Sequence, residues 1–175
     1  NGDDISSGDI VGPAGWTSIG TIEFGANNGN SEAVAEVFYR VAGGSEGADY
    51  IFTLNGSADG AFGTIIAFSG VDGTTPIDIT GAFSAGATSA SLSTAGITTV
   101  TPNTMVLMLT ATAEQGANTI STWNTTSPGV LAELVDAGTG NGDDSGVGAA
   151  SALKASVGAT GNGTATASAN LRHTS

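Results

Sequence analysis

A chain of 175 residues with 28 glycines, only 11% charged residues and a formal net charge of −13 fits one domain with a real core and leaves little material for long helices. Lys and Arg total three, so the basic footprint that phosphate neutralisation needs is missing, nucleic acid is excluded as a partner, and an anionic membrane surface repels the chain. The absence of cysteine rules out a disulfide framework and thiolate metal or redox chemistry, and no apolar run approaches the ~20 residues of a membrane span.

In chain order, residues 1–15 (NGDDISSGDIVGPAG) read as an acidic, glycine-rich arm with a short strand at most around Ile5 or Ile10. Near-alternation of Ile19, Ile22 and Phe24 predicts a half-buried strand over 16–24, closed by the Asn27-Asn28-Gly29-Asn30 turn. Residues 33–41 fit two periods. A helix would line Glu32, Glu36 and Arg40 on one face, whereas the β-branched and aromatic run VFYRV favours a strand. After a turn at 42–47, residues 50–54 alternate Tyr50, Phe52 and Leu54 against Ile51 and Thr53. Residues 62–71 (FGTIIAFSGV) are apolar on both faces, which predicts a central strand covered on both sides. Pro76 makes 76–80 an edge strand, with weaker strands at 89–93 and 97–100. Residues 104–113 (TMVLMLTATA) form the second strongly buried run, and 119–123 and 130–136 follow around the 124–129 loop. Beyond the 138–146 loop, two runs rich in Ala, Ser and Thr span 147–171, split at 158–163 by what reads as a hairpin turn. Roughly eight to ten short strands without a long helix is the pattern of an all-β antiparallel sandwich or barrel, here a single domain over 1–175.

Six of the ten aromatic residues (Phe38, Tyr39, Tyr50, Phe52, Phe62 and Phe68) fall within 37–78, which therefore reads as the core-forming half of the sandwich. The residues Gly15-Trp16, 37–42 (VFYRVA), Gly44-Ser45-Glu46, 50–54 (YIFTL), 67–72 (AFSGVD), Thr75-Pro76-Ile77-Asp78 and Ala159-Thr160-Gly161 carry a likeness. Together they resemble a β-sandwich module that recurs in phage virion and tail-associated proteins and in bacterial secreted surface proteins. The resemblance spans most of the chain and is most specific over 37–78. It implies a jelly-roll-like display or adhesion unit and brings no catalytic residues with it. Family members usually begin with an extra strand before the segment matching Asn1–Ile5 and end with a short apolar strand where this chain has Asn170-Leu171-Arg172-His173. Those departures imply an open sheet edge that receives a strand from a neighbour.

The candidate chemistry is sparse. Gly43-Gly44-Ser45-Glu46-Gly47 spells a nucleophile elbow, but a strand rather than a helix follows and the only histidine is His173, so a turn is expected. His173 alone cannot make a zinc site, and its place near the end predicts solvent exposure. Calcium is the most serious metal candidate: Asn141, Asp143 and Asp144 partly match a glycine-aspartate repeat, and Asp3 and Asp4 lie in the same tetrapeptide, Asn-Gly-Asp-Asp. Each copy stands alone where the repeat stacks in tandem, so solvated acidic loops are favoured and no cofactor is expected. Lys154, the only lysine, reads as a surface residue; Trp16 and Trp123 read as core or rim packing, with a sugar platform as the alternative.

The expected function is a non-enzymatic structural protein of a virion surface, either a capsid decoration protein or a head or tail fibre module. It would pack against other virion proteins or copies of itself, a homotrimer first among the arrangements. The competing expectation is a secreted bacterial adhesion or carbohydrate-binding module that contacts a host-surface glycan, with calcium as an aid.

Overall fold

The structure, a computed structural model, describes residues 5–24, 33–56, 58, 60–81, 83–113, 118–140 and 145–174. All regular structure among them is β. Short strands β1 (Ile10–Val11) and β4 (Thr53–Leu54) pair with each other, and β2 (Thr17–Phe24) pairs antiparallel with β3 (Ala33–Tyr39). The 33–41 run is thus a strand, as its β-branched and aromatic content favours.

The rest of the chain builds two larger antiparallel sheets. One has the order β13-β7-β10-β9, from β7 (Thr104–Thr112), β9 (Ala132–Thr139), β10 (Ser145–Lys154) and β13 (His173–Thr174). The other has the order β5-β12-β8, from β5 (Ser89–Thr94), β8 (Ile120–Asn124) and β12 (Gly163–Leu171). A small ladder of β6 (Thr98–Thr99) with β11 (Gly158–Ala159) closes one end.

The core lies between these two sheets. Leu92, Ile120, Trp123, Ala165, Ala167 and Leu171 from one side meet Met108 and Ala150 from the other, with Leu131 at the joint before β9. Alternation explains the small residues. β12 reads GTATASANL, buries Gly163, Ala165, Ala167 and Leu171, and turns Thr164, Thr166 and Ser168 outward. Two glycines let the sheets close on bulky partners: a Cβ on Gly148 would stand 2.9 Å from the Trp123 ring, and one on Gly163 would stand 2.8 Å from the Met108 sulfur.

Several expectations are corrected. The two runs rich in Ala, Ser and Thr do not pair as a hairpin: β10 joins β7 and β9, while β12 joins β5 and β8, so the 158–163 turn is a crossover between sheets. Residues 62–71 form no strand, although their sequence calls for a central one, and Phe62, Ile65, Phe68 and Val71 are exposed. Residues 76–80 are irregular, and of 50–54 only Thr53–Leu54 joins a ladder. The 37–78 stretch is therefore not the core-forming half. A run that is apolar on both faces needs a layer above and below, and no layer of the described chain supplies both.

Candidate functional site

Asp3, Asp4, Asn141, Asp143 and Asp144, the calcium candidates, lie outside the described residues. Among the described residues, no three His, Asp or Glu side chains come together as metal ligands would.

The GGSEG segment folds into a turn with a structural clasp. Glu46 accepts hydrogen bonds from the Gly43 amide and the Tyr50 hydroxyl and pairs with Arg40 at 3.0 Å. Arg40 also lies over the Tyr50 ring, 5.4 Å from its centroid. Trp16, half-buried, meets Tyr50 and Phe52 edge-on at 5.2 and 5.3 Å, and Phe38 tilts against Phe52. Ser45 has no histidine beside it, because His173 sits in β13, paired with Thr112. The Tyr50 hydroxyl, then the Gly43 amide and Arg40, hold the Glu46 carboxyl below its ordinary value, and the same bond to Glu46 holds the Tyr50 phenol above its own.

The lowered Glu46 value gives a clasp that is fully present above the carboxyl's unfolded-state value and lost as pH falls through the folded one. The raised Tyr50 value gives a contribution present below the phenol's unfolded-state value and lost as pH rises through the folded one. Glu46→Gln is therefore expected to bring the tyrosine titration of Tyr50 back toward the ordinary range, read by ultraviolet absorbance. An unchanged titration would mean that the clasp does not form in solution.

Two carboxylates of β9 tie the two sheets together. A bulge in β9 places Glu133 opposite Ala150 and Asp136 opposite Gly148, so carboxylates three residues apart lie on the same face, Glu133 exposed at its rim and Asp136 half-buried. Glu133 accepts from Trp123 Nε1 at 3.2 Å, and Asp136 accepts from the Ile120 amide at 2.7 Å. Sequence reasoning missed both residues, since a bulge leaves no mark in a strand pattern. Trp123, 3% exposed, is a core residue and cannot serve as a sugar platform.

Two further expectations are overturned. His173 is buried, its Nδ1 3.1 Å from the Leu171 carbonyl, because the last residues are drawn into the ladder beside β7. Lys154 is 5% exposed rather than a surface residue, and among the described residues its one hydrogen bond runs to Ser127 Oγ at 3.0 Å.

What the described chain does present outward is apolar surface, in two places. Cross-strand partners share a face, so the register of β7, β10 and β9 puts Met105 with Leu153, Leu107 with Ser151, Leu109 with Ala149 and Val135, and Ala111 with Val147 and Ala137 on the face opposite Met108 and Ala150, where Ala149 and Ser151 are themselves buried. No charged residue falls in that set. Met105, Leu107 and Leu153, with Leu134 at the bulge, are 38–57% exposed. The second place is the unladdered 61–71 segment, where Ile65 is 59% exposed. Comparison with family models, with curated proteins and with solved structures gives no match to this chain.

Proposed function

We propose that the chain is a structural module of a virion surface, a capsid decoration protein or part of a head or tail fibre, that works by packing against neighbouring proteins rather than by catalysis. The observation that carries this reading is the outward, charge-free face of the β7-β10-β9 sheet, with Met105, Leu107, Leu134 and Leu153 left in water. Apolar side chains side by side on a sheet face are the material of a sheet-on-sheet contact. The chain is strongly acidic as a whole, so a neutral face marks where a neighbour can approach without carboxylate repulsion. The jelly-roll-like connectivity and the virion setting rest on the resemblance over 37–78 and belong to the same proposal.

The test is to purify particles from a host carrying the gene and to identify their proteins by mass spectrometry, with antibody labelling on particles. The chain is expected in the particle at a stoichiometric copy number. Its absence from particles, with secretion by a bacterium and retention on a glycan array, would replace this reading with the adhesion module.

A further inference from the structure

The segment from Ala61 to Phe68 (AFGTIIAF) has the composition of a core strand and the surroundings of a loop. None of its amides or carbonyls takes part in a ladder or in any other hydrogen bond of the described chain. No turn or bend interrupts it before Ser69-Gly70, where Gly70 adopts φ +77°. Phe62, Ile65 and Phe68 are 37%, 59% and 40% exposed. An uncovered strand-former of this kind is a template for another strand.

We propose that Ala61–Phe68 is a strand-addition site whose occupant is the same segment of a second copy, paired antiparallel across a two-fold axis at Ile65. The inference rests on the assembly reading above and adds a contact separate from the β7-β10-β9 face. The occupant must bring free backbone groups, apolar side chains and no negative charge. From Gly60 to Val71 this chain has no charged residue, although it carries sixteen acids elsewhere, so two copies of a −13 chain meet here without opposed carboxylates.

The register follows from the side chains. With Ile65 opposite Ile65 of the second copy, Phe62 faces Phe68, Thr64 faces Ile66 and Gly63 faces Ala67. This makes two aromatic pairs and an aliphatic centre, the cross-strand pairs that stabilise sheets. A paired run of this length forms roughly eight inter-strand hydrogen bonds, within the ~10 ± 5 that a standard interface carries. The contact is isologous and closes at two copies, unlike the homotrimer that stands first among the expected arrangements.

Because the chain has no cysteine, single cysteines report the contact directly. Opposed residues of an antiparallel pair have Cα atoms about 4.5–5.5 Å apart, within disulfide range. Ile65→Cys, oxidised mildly at a concentration where sedimentation shows the wild-type dimer, is expected to cross-link in high yield. Gly44→Cys, in an exposed turn, is the collision control and is expected to stay monomeric on denaturing gels.

Cross-linking at Leu153→Cys but not at Ile65→Cys would overturn this pairing and leave the assembly reading standing. So would a trimer that does not cross-link at position 65, or a monomer that is nonetheless found in particles. A monomer absent from particles would remove both.

Discussion

Trp123→Ala is expected to remove roughly 3–5 kcal/mol of stability, the range for truncating a buried aromatic side chain. The indole is 3% exposed and belongs to the hydrophobic cluster that Leu92, Ile120, Leu131 and Leu171 also build. Its ring lies where Gly148 leaves room, so the neighbouring backbone cannot move in to fill a cavity without rebuilding β10. The loss also frees the Glu133 carboxylate from the Nε1–H bond that ties β8 to β9. Against the ~5–15 kcal/mol that holds an ordinary domain, a loss of this size leaves a marginal fold. Trp123→Phe keeps an apolar ring and forfeits the hydrogen bond, so its cost should be clearly smaller. Urea unfolding checks both: the midpoint falls with an unchanged slope in each variant, further for alanine. A midpoint within error of wild type for Trp123→Ala would place the core elsewhere, in the aromatic 37–78 stretch that the sequence favours.

Lys154→Met is expected to act in the opposite direction and raise stability by about 1–3 kcal/mol. Lys154 ends β10 on the core side, opposite Thr104, and no carboxylate among the described residues pairs with it. Taking a charge out of water for a single hydroxyl partner costs more than one hydrogen bond returns. Methionine keeps most of the length of the apolar stem and needs no partner, and Ser127 is only half-buried, so water can replace the lost bond. Lys154→Ala lacks that compensation because it leaves the stem's volume empty, and it should fall below Lys154→Met. Thermal unfolding of the three proteins at neutral pH gives the order. A methionine variant less stable than wild type would show that the Ser127 bond outweighs the burial.

These outcomes bear on how much of the protein was legible in its residues. The all-β class was, because glycine, threonine and β-branched residues alternate over short runs and no helix-length pattern competes. β2 and β7 stand near where their apolar patterns place them, and β10 and β12 near the two runs rich in Ala, Ser and Thr. The location of the core was not. Aromatic density pointed to 37–78, but this core is made by Leu92, Ile120, Trp123 and Leu171 over a floor of alanines, a packing that depends on which sheets face each other. The crossover between β10 and β12 was hidden for the same reason, since a glycine-rich turn spells the same whether it joins partners or separates sheets. Burial of Lys154 and His173 was likewise invisible: each is decided by a strand pairing far away in sequence, with β7 in both cases.

The outward face of β7 was legible only in part. TMVLMLTATA reads as a strongly buried strand. In the chain alone, Met108 and Val106 are covered while Met105 and Leu107 are not. The same discrepancy, larger, marks 62–71. Both places have sequences written for a layer that the described single chain does not supply, which is the physical content of the assembly reading.

Hydrogen exchange, followed residue by residue in the dilute chain and again in the assembled state, tests that account most directly. In the dilute chain, the amides of β7, β10 and β12 should be protected while those of Ala61–Phe68 exchange at nearly free rates, and assembly should protect the second set without changing the first. Strong protection of Ala61–Phe68 in the dilute chain, equal to that of β7, would show that the segment is covered within one molecule and would contradict the account.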